Sequence, residues 1–195
     1  ALLTAVQHDV PDVVLLDYAK NLLNQAEQEW TIRQQKKHLR FVQGDARRLP
    51  FTDNAFDVVL SVRMFHHVLE IDEVLAEIRR VMRPSGCAII EFANKCHFKA
   101  RLRGWFNRTQ EASNSWEPLR RGEGIFYNFH PEFIRDQVEQ HGLKIEQKLS
   151  VSNFRLGLLK RQLRIEKLLE WEDRLQGPLA RFDFGPSIFL KLTRW

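Results

Sequence analysis

Four short apolar runs, separated by stretches of helical periodicity, constrain this chain more than any other feature. "DVVLLD" (12–17), "LRFVQ" (39–43), "AFDVVLSV" (55–62) and "CAIIEFA" (87–93) have the length and β-branched content of strands. Several are apolar almost throughout, as expected of strands covered on both faces of a parallel sheet. Between the first two, residues 20–35 carry Leu22, Leu23, Ala26 and Trp30 at helical spacing. Ahead of the fourth, Asp72 is placed to cap a helix whose Val74, Leu75, Ile78, Val81 and Met82 form one apolar face. Pro84-Ser85-Gly86 is expected to stop that helix. Pro131 suits the first turn of a further helix that Gly142 ends. "LKIEQKLSV" (143–151) and "SIFLKLTRW" (187–195) alternate apolar and polar residues, the pattern of half-exposed strands. The expected architecture is α/β: a doubly wound, mostly parallel sheet with a C-terminal antiparallel strand pair.

Ligands of such sheets bind at the carboxyl ends of the strands. Asp17, Asp45 and Ser61 all fall there. Two ionised carboxylates at adjacent strand ends suit a nucleoside, because each offers only acceptor oxygens. One takes both ribose hydroxyls, and the other takes the exocyclic amine of adenine. Ala46 adds a backbone N–H and leaves room for the ring, which Tyr18 or Leu49 could cover. An ordinary strand-to-loop turn would also use Gly44 and Asp45. A metal is the rival use of paired acids, but no His or Cys spacing supports one. Cys87 and Cys96 form neither a metal motif nor a disulfide framework, so a reducing cytoplasm is expected.

These segments carry a family resemblance. "DVVLLDYAKNLLNQA", "FVQGDARRLPFTDNAFDVVLSVRMFHHV" and "IDEVLAEIRRVMRPSGCAIIEF" resemble successive parts of a class I S-adenosylmethionine-dependent methyltransferase. The likeness is greatest to the group that includes the quinone and sterol methyltransferases. It implies a Rossmann-like fold over one domain, 1–195, S-adenosyl-L-methionine as cofactor and a small-molecule acceptor. By position it implies that Asp17 binds ribose, Tyr18 lies against adenine, and Asp45 and Ala46 read the adenine edge. Ser61 would lie near the methionine part. The family also places a strand and a Gly-rich loop ahead of "DVVLLD". No glycine precedes Gly44, so that element is expected upstream of Ala1.

His66 and His67 follow Ser61 closely and fall on the active-site side in the family. His66 is the candidate catalytic residue, as a general base or an orienter of the acceptor; a histidine that merely packs is the competing reading. Two segments exceed what the fold needs. Residues 94–130 hold Trp105, Phe106, Trp116, Phe126 and Tyr127 with Arg101, Arg103, Arg120 and Arg121. Residues 154–175 read as a basic amphipathic helix, within an insertion of 154–180. Both are candidate lids over the acceptor. The helix could equally rest on a membrane surface, make a homodimer contact or pack on the domain.

The net charge of +5 and pI near 9.4 raise the question of nucleic acid. The basic residues interleave with Leu, Trp and Phe, and the stretch after Ser61 is Val62-Arg63-Met64, without the Pro-Pro-aromatic turn of amino-methylating DNA enzymes. No proline precedes a cysteine, which removes the cytosine-C5 signature. Specific nucleic-acid binding is therefore not expected. A short-chain dehydrogenase needs a Lys four residues after its Tyr, whereas Leu22 follows Tyr18 and Pro131 follows Tyr127 at that spacing. Methyl transfer to a small, apolar or amphiphilic acceptor is the expected function. An inactive methyltransferase-like scaffold and an RNA methyltransferase are the alternatives.

Overall fold

In the computed structural model, the structure describes residues 12–32, 38–107, 115–120, 126–153 and 165–195. The chain forms two compact units, Ala1–Thr52 and Asp53–Trp195.

In the first unit, β1 (Asp12–Asp17) leads through α1 (Lys20–Ile32) to β2 (His38–Gln43). The two strands pair in parallel, with Asp12 opposite His38 and Asp17 opposite Gln43. That parallel βαβ arrangement puts the carboxyl ends of both strands on the same edge. Leu23 of α1 is the large apolar side chain that is buried among the described residues of this unit.

The second unit is larger and better filled. Its strands are β3 (Phe56–Ser61), β4 (Met82–Ala93), β7 (Leu143–Val151) and β8 (Ser187–Arg194), in the order β3-β4-β8-β7. β3 and β4 are parallel, and β8 runs antiparallel to both β4 and β7. The last two strands therefore do form an antiparallel pair. β8 is the inner member, however, and its alternation is steep: Ile188, Leu190 and Leu192 are buried and the residues between them half-exposed. α2 (Ile71–Val81) and α4 (Pro131–Gln140) supply Ile71, Val74, Leu75, Ile78, Ile134 and Val138 to the core with Phe65, Phe92 and Phe129.

Local chemistry explains the ends of these elements. His130 caps α4 by accepting a hydrogen bond from the Glu132 N–H on its Nδ1, and Pro131 follows it. Gly142, at φ +65°, ends the segment in the left-handed conformation that glycine adopts without steric cost. Asp72 is not the cap of α2. It sits inside the first turn, where its charge complements the helix dipole, while Glu70 holds the cap position. Pro84-Ser85-Gly86 follows the end of α2 as expected, but as strand and not as a turn. The helix ends at Val81, and β4 is already extended at Met82 and runs through those three residues. A proline disfavours helical geometry in the residue ahead of it, so the helix must stop before Arg83. The strand absorbs the extra length as a register shift, Phe56 facing Met82 and Val58 facing Cys87.

The long connection 94–130 is not one loop. It holds α3 (Phe98–Asn107) and a small antiparallel pair, β5 (Leu119–Arg120) with β6 (Tyr127–Asn128). The C-terminal helix α5 covers Ile165–Ala180, and the described part of the expected 154–175 is helical. Residues 154–164, Arg121 and the side chain of Phe106 lie outside the described residues.

Candidate functional site

Each unit has its own carboxyl-end rim. In the first, the backbone N–H of Gly44 donates to the Asp17 carbonyl at 3.1 Å, so that Asp17 and the Gly44-Asp45-Ala46 turn leave the ladder side by side. Gly44 sits in close quarters: a Cβ there would stand 3.0 Å from Leu16 Cδ1 and 3.2 Å from Pro50 Cδ, and those side chains would have to give by a few tenths of an ångström. Asp17 Oδ1 accepts from the Ala19 N–H at 2.8 Å, which orients the carboxylate and leaves Oδ2 to accept from a ligand. Tyr18 is 75% exposed, a free aromatic surface next to that acid. The open acceptor oxygen fits a ribose hydroxyl.

Asp45 is differently placed. Its carboxylate accepts from the Arg47 backbone N–H at 2.9 Å and from the Arg47 guanidinium, Nη2 to Oδ2 at 2.7 Å. The Arg47 hydrogen bonds hold its carboxyl below the usual range. Both side chains are partly solvent-exposed, so this pair is weak and exchangeable. An adenine amine would have to share or displace it.

The rim of the second unit is formed where β3 and β4 end. Ser61 is the last residue of β3; its Oγ is buried and has no hydrogen-bond partner among the described residues. Two residues on, Arg63 adopts φ +60°, a conformation uncommon outside glycine. It turns the Arg63 N–H onto Glu91 Oε2 at 2.7 Å. A single 3-10 turn, Phe65–His67, then places His66 against the same carboxylate, Nε2 to Oε2 at 3.5 Å. Ser187 of β8 donates to the other oxygen of Glu91. Both His66 and Glu91 are 5% exposed. Burial pushes the Glu91 carboxyl up, but the bonds from His66, Ser187 and the Arg63 N–H outweigh it and hold the group ionised, below its ordinary value. Phe126 stacks on His66 at 4.7 Å between centroids and 29° between planes. His66 Nδ1 is buried without a partner among the described residues.

The framework around this rim is tied down at several points. Asn94 Nδ2 donates to the carbonyls of Asp183 and Gly185 at 2.8 and 2.9 Å, and its Oδ1 accepts from the Cys96 N–H. The Lys95 ammonium donates to the carbonyls of Ser115 and Glu117. Asn153 bonds Glu172 of α5 through its N–H and its Nδ2. Beyond these anchors α3 shows solvent Phe98, Leu102 and Trp105, at i, i+4 and i+7, with Lys99, Arg101 and Arg103 around them.

The structure thus brings Asp17, Tyr18, Asp45 and Ala46 together in one unit, and Ser61 with His66 in the other. Sequence reasoning missed Glu91 and Phe126 as partners of His66. The signal for Glu91 was present: it is the one carboxylate inside the apolar run "CAIIEFA", where an acid needs a partner. Among the described residues no group of three or more His, Cys, Asp or Glu could hold a metal, and no helix is long and apolar enough to cross a membrane.

Residues 1–90 match the family described as "Methyltransferase domain". A demethylmenaquinone methyltransferase of Lactobacillus johnsonii is 36% identical over 75 residues, 38% of this chain and 31% of that protein. A fatty-acid O-methyltransferase of Mycolicibacterium smegmatis is 52% identical over 48 residues, 25% of this chain and 18% of that protein. The chain therefore matches about a third of the first relative's length, and less of the second. A solved S-adenosylmethionine-dependent methyltransferase from Mesorhizobium loti superposes with a TM-score of 0.63 at 12% identity, over 99% of this chain and 85% of that one. The fold is the Rossmann-like fold of these proteins.

Proposed function

We propose, for a chain whose residues 1–90 match the methyltransferase-domain family, that it catalyses methyl transfer from S-adenosyl-L-methionine to a small, apolar or amphiphilic acceptor. The observation that carries this reading is the pair of acids at one end of the β1–β2 ladder, with an open Asp17 oxygen beside the tight Gly44 turn. When bound, the cofactor would supply a methyl group on a sulfonium sulfur. Asp17 would accept from the ribose hydroxyls, Tyr18 would lie on the adenine face, and the Asp45-Ala46 turn would meet its edge. By resemblance to the family alone, Ser61 is the candidate for the methionine part and His66 for the acceptor. Methyl transfer needs in-line positioning above all, so rigid rims suit it.

The stripe of Phe98, Leu102 and Trp105 on α3, set among basic side chains, fits an acceptor with an apolar body and an anionic end. The same composition suits transient contact with a lipid surface. Exposed Ile165 and Leu169 on α5 offer a further apolar face that lipid or a second copy of the chain could cover. Specific nucleic-acid binding is not part of this reading.

Titration calorimetry with S-adenosylhomocysteine tests the proposal. Asp17→Ala should weaken binding by about 1.5–3 kcal/mol, the scale of hydrogen bonds to a charged group. Absence of binding, or a variant that binds as well as the parent, sinks it. Binding without transfer to any acceptor would instead favour a scaffold, the reading that Arg47's hold on Asp45 supports.

A further inference from the structure

We propose that the acceptor is methylated on a hydroxyl oxygen, that His66 Nδ1 takes the hydroxyl proton, and that Glu91 is the positioning residue that makes Nδ1 the basic atom. The inference rests on the methyltransferase reading and adds the class of acceptor and the atom that serves it.

The geometry fixes which nitrogen is which. An ionised carboxylate only accepts hydrogen bonds. Glu91 already accepts from the Arg63 N–H and the Ser187 hydroxyl, and the His66 atom facing it is Nε2. The favourable tautomer therefore carries its hydrogen on Nε2 and its lone pair on Nδ1. The same logic governs histidines whose second nitrogen is set by a carboxylate partner. Nδ1 is buried and accepts from nothing among the described residues. Leaving such a group unsatisfied costs about 1–3 kcal/mol, so the site gains when a ligand brings a donor to it. Phe126, stacked on the ring, restrains the imidazole from rotating freely.

The molecule maintains this arrangement at a cost. Arg63 is held at φ +60°, and residues in such sparsely populated regions persist where the surroundings enforce them. What the strained turn delivers is the N–H that fixes Glu91.

A buried base is of most use to a hydroxyl. An alcohol or phenol oxygen is a poor nucleophile until its proton leaves, whereas a neutral amine attacks first and loses its proton afterwards. In the step, the O–H bond breaks, its proton goes to Nδ1 and the electron pair stays on oxygen. The oxygen forms the new bond to the methyl carbon as the carbon–sulfur pair returns to sulfur. The resulting imidazolium lies beside the Glu91 carboxylate, which stabilises it.

The test uses the chain with 15N-labelled histidine, and its readout is the imidazole nitrogen spectrum. His66 in the parent protein is expected as the Nε2–H tautomer with unprotonated Nδ1. Phenol, as an O–H donor probe, should move the Nδ1 resonance, and toluene, its near isostere, should leave it in place. In Glu91→Gln the side-chain amide can donate to Nε2, so the Nδ1–H tautomer should appear and the phenol response should be lost. An Nδ1–H tautomer in the parent, or equal effects of phenol and toluene, overturns the proposal, and neither needs a variant to fold. S-adenosylhomocysteine calorimetry separates the two readings. A phenol response without cofactor binding sinks the methyltransferase reading and keeps the base. Cofactor binding without a phenol response does the reverse.

Discussion

Asp45 and Glu91 are both carboxylates held below their ordinary range, one at the rim of each unit, and they arrive there by different physics. Asp45 is partly exposed, and its partner Arg47 lies two residues away on an exposed side chain. Glu91 is buried, and its three donors come from three separate places: the turn after β3, the 3-10 turn and β8. The first arrangement is local and can be exchanged for a ligand. The second is a product of tertiary structure and can only position something else. The difference agrees with the roles proposed above: an exposed pair suits binding, and a buried one suits orienting another group.

The two units also differ in what supports these acids. Phe92, two strand positions beyond Ile90 and 1% exposed, is packed in the core that carries the Glu91 rim. Phe92→Ala should lower unfolding free energy by about 3–5 kcal/mol, the range for emptying an aromatic site in a core. The smaller unit has Leu23 as its buried large apolar residue among those described, so Leu23→Ala should cost about 2–3 kcal/mol, at the low end for such truncations. Denaturant melts of both variants measure this. Equal losses would mean that the smaller unit draws on a core as full as that of the larger one.

A pH series separates the two acids further. A carboxyl whose folded pKa is depressed contributes stability above its unfolded value and loses it as pH falls through the folded one. For Glu91 the unfolded reference is near 4.5, so stability should hold at neutral pH and drop below about pH 4.5 as the carboxylate takes up its proton. Thermal melts of the parent between pH 7 and pH 3 should show that drop, and Glu91→Gln should flatten it. Asp45→Asn should leave the profile nearly unchanged, because an exposed pair contributes little. A profile that Asp45→Asn flattens more than Glu91→Gln would reverse the assignment.

The parts of the molecule that the sequence disclosed are those written in local periodicity. The apolar runs located β1, β2 and β3, and Pro131 and Gly142 marked α4 and its end. Asp17 and Asp45 were legible because their positions at strand ends follow from where the strands stop. The Glu91–His66 pair was not, since 25 residues separate its members and only the β3–β4 pairing brings them together. Met82 to Gly86 was misread for a related reason. Proline forbids helix, but whether the chain then turns or enters a strand depends on β3 alongside it.

The smallest expected effect is also the one that tests the exposed acid most directly. Arg47 occupies both oxygens of Asp45 and so competes with a nucleobase amine for the same lone pairs. Arg47→Ala removes that competitor while leaving the Gly44 turn and Asp17 in place. Because exposed ion pairs contribute about 0–1 kcal/mol, S-adenosylhomocysteine affinity should rise by no more than about fivefold, and the gain should shrink as salt screens the parent pair. Calorimetry at low and physiological ionic strength reads both. A fall in affinity would show that Arg47 helps to hold Asp45 in its binding orientation. The exposed acid would then be as dependent on a fixed partner as the buried one, and the contrast between the two rims would disappear.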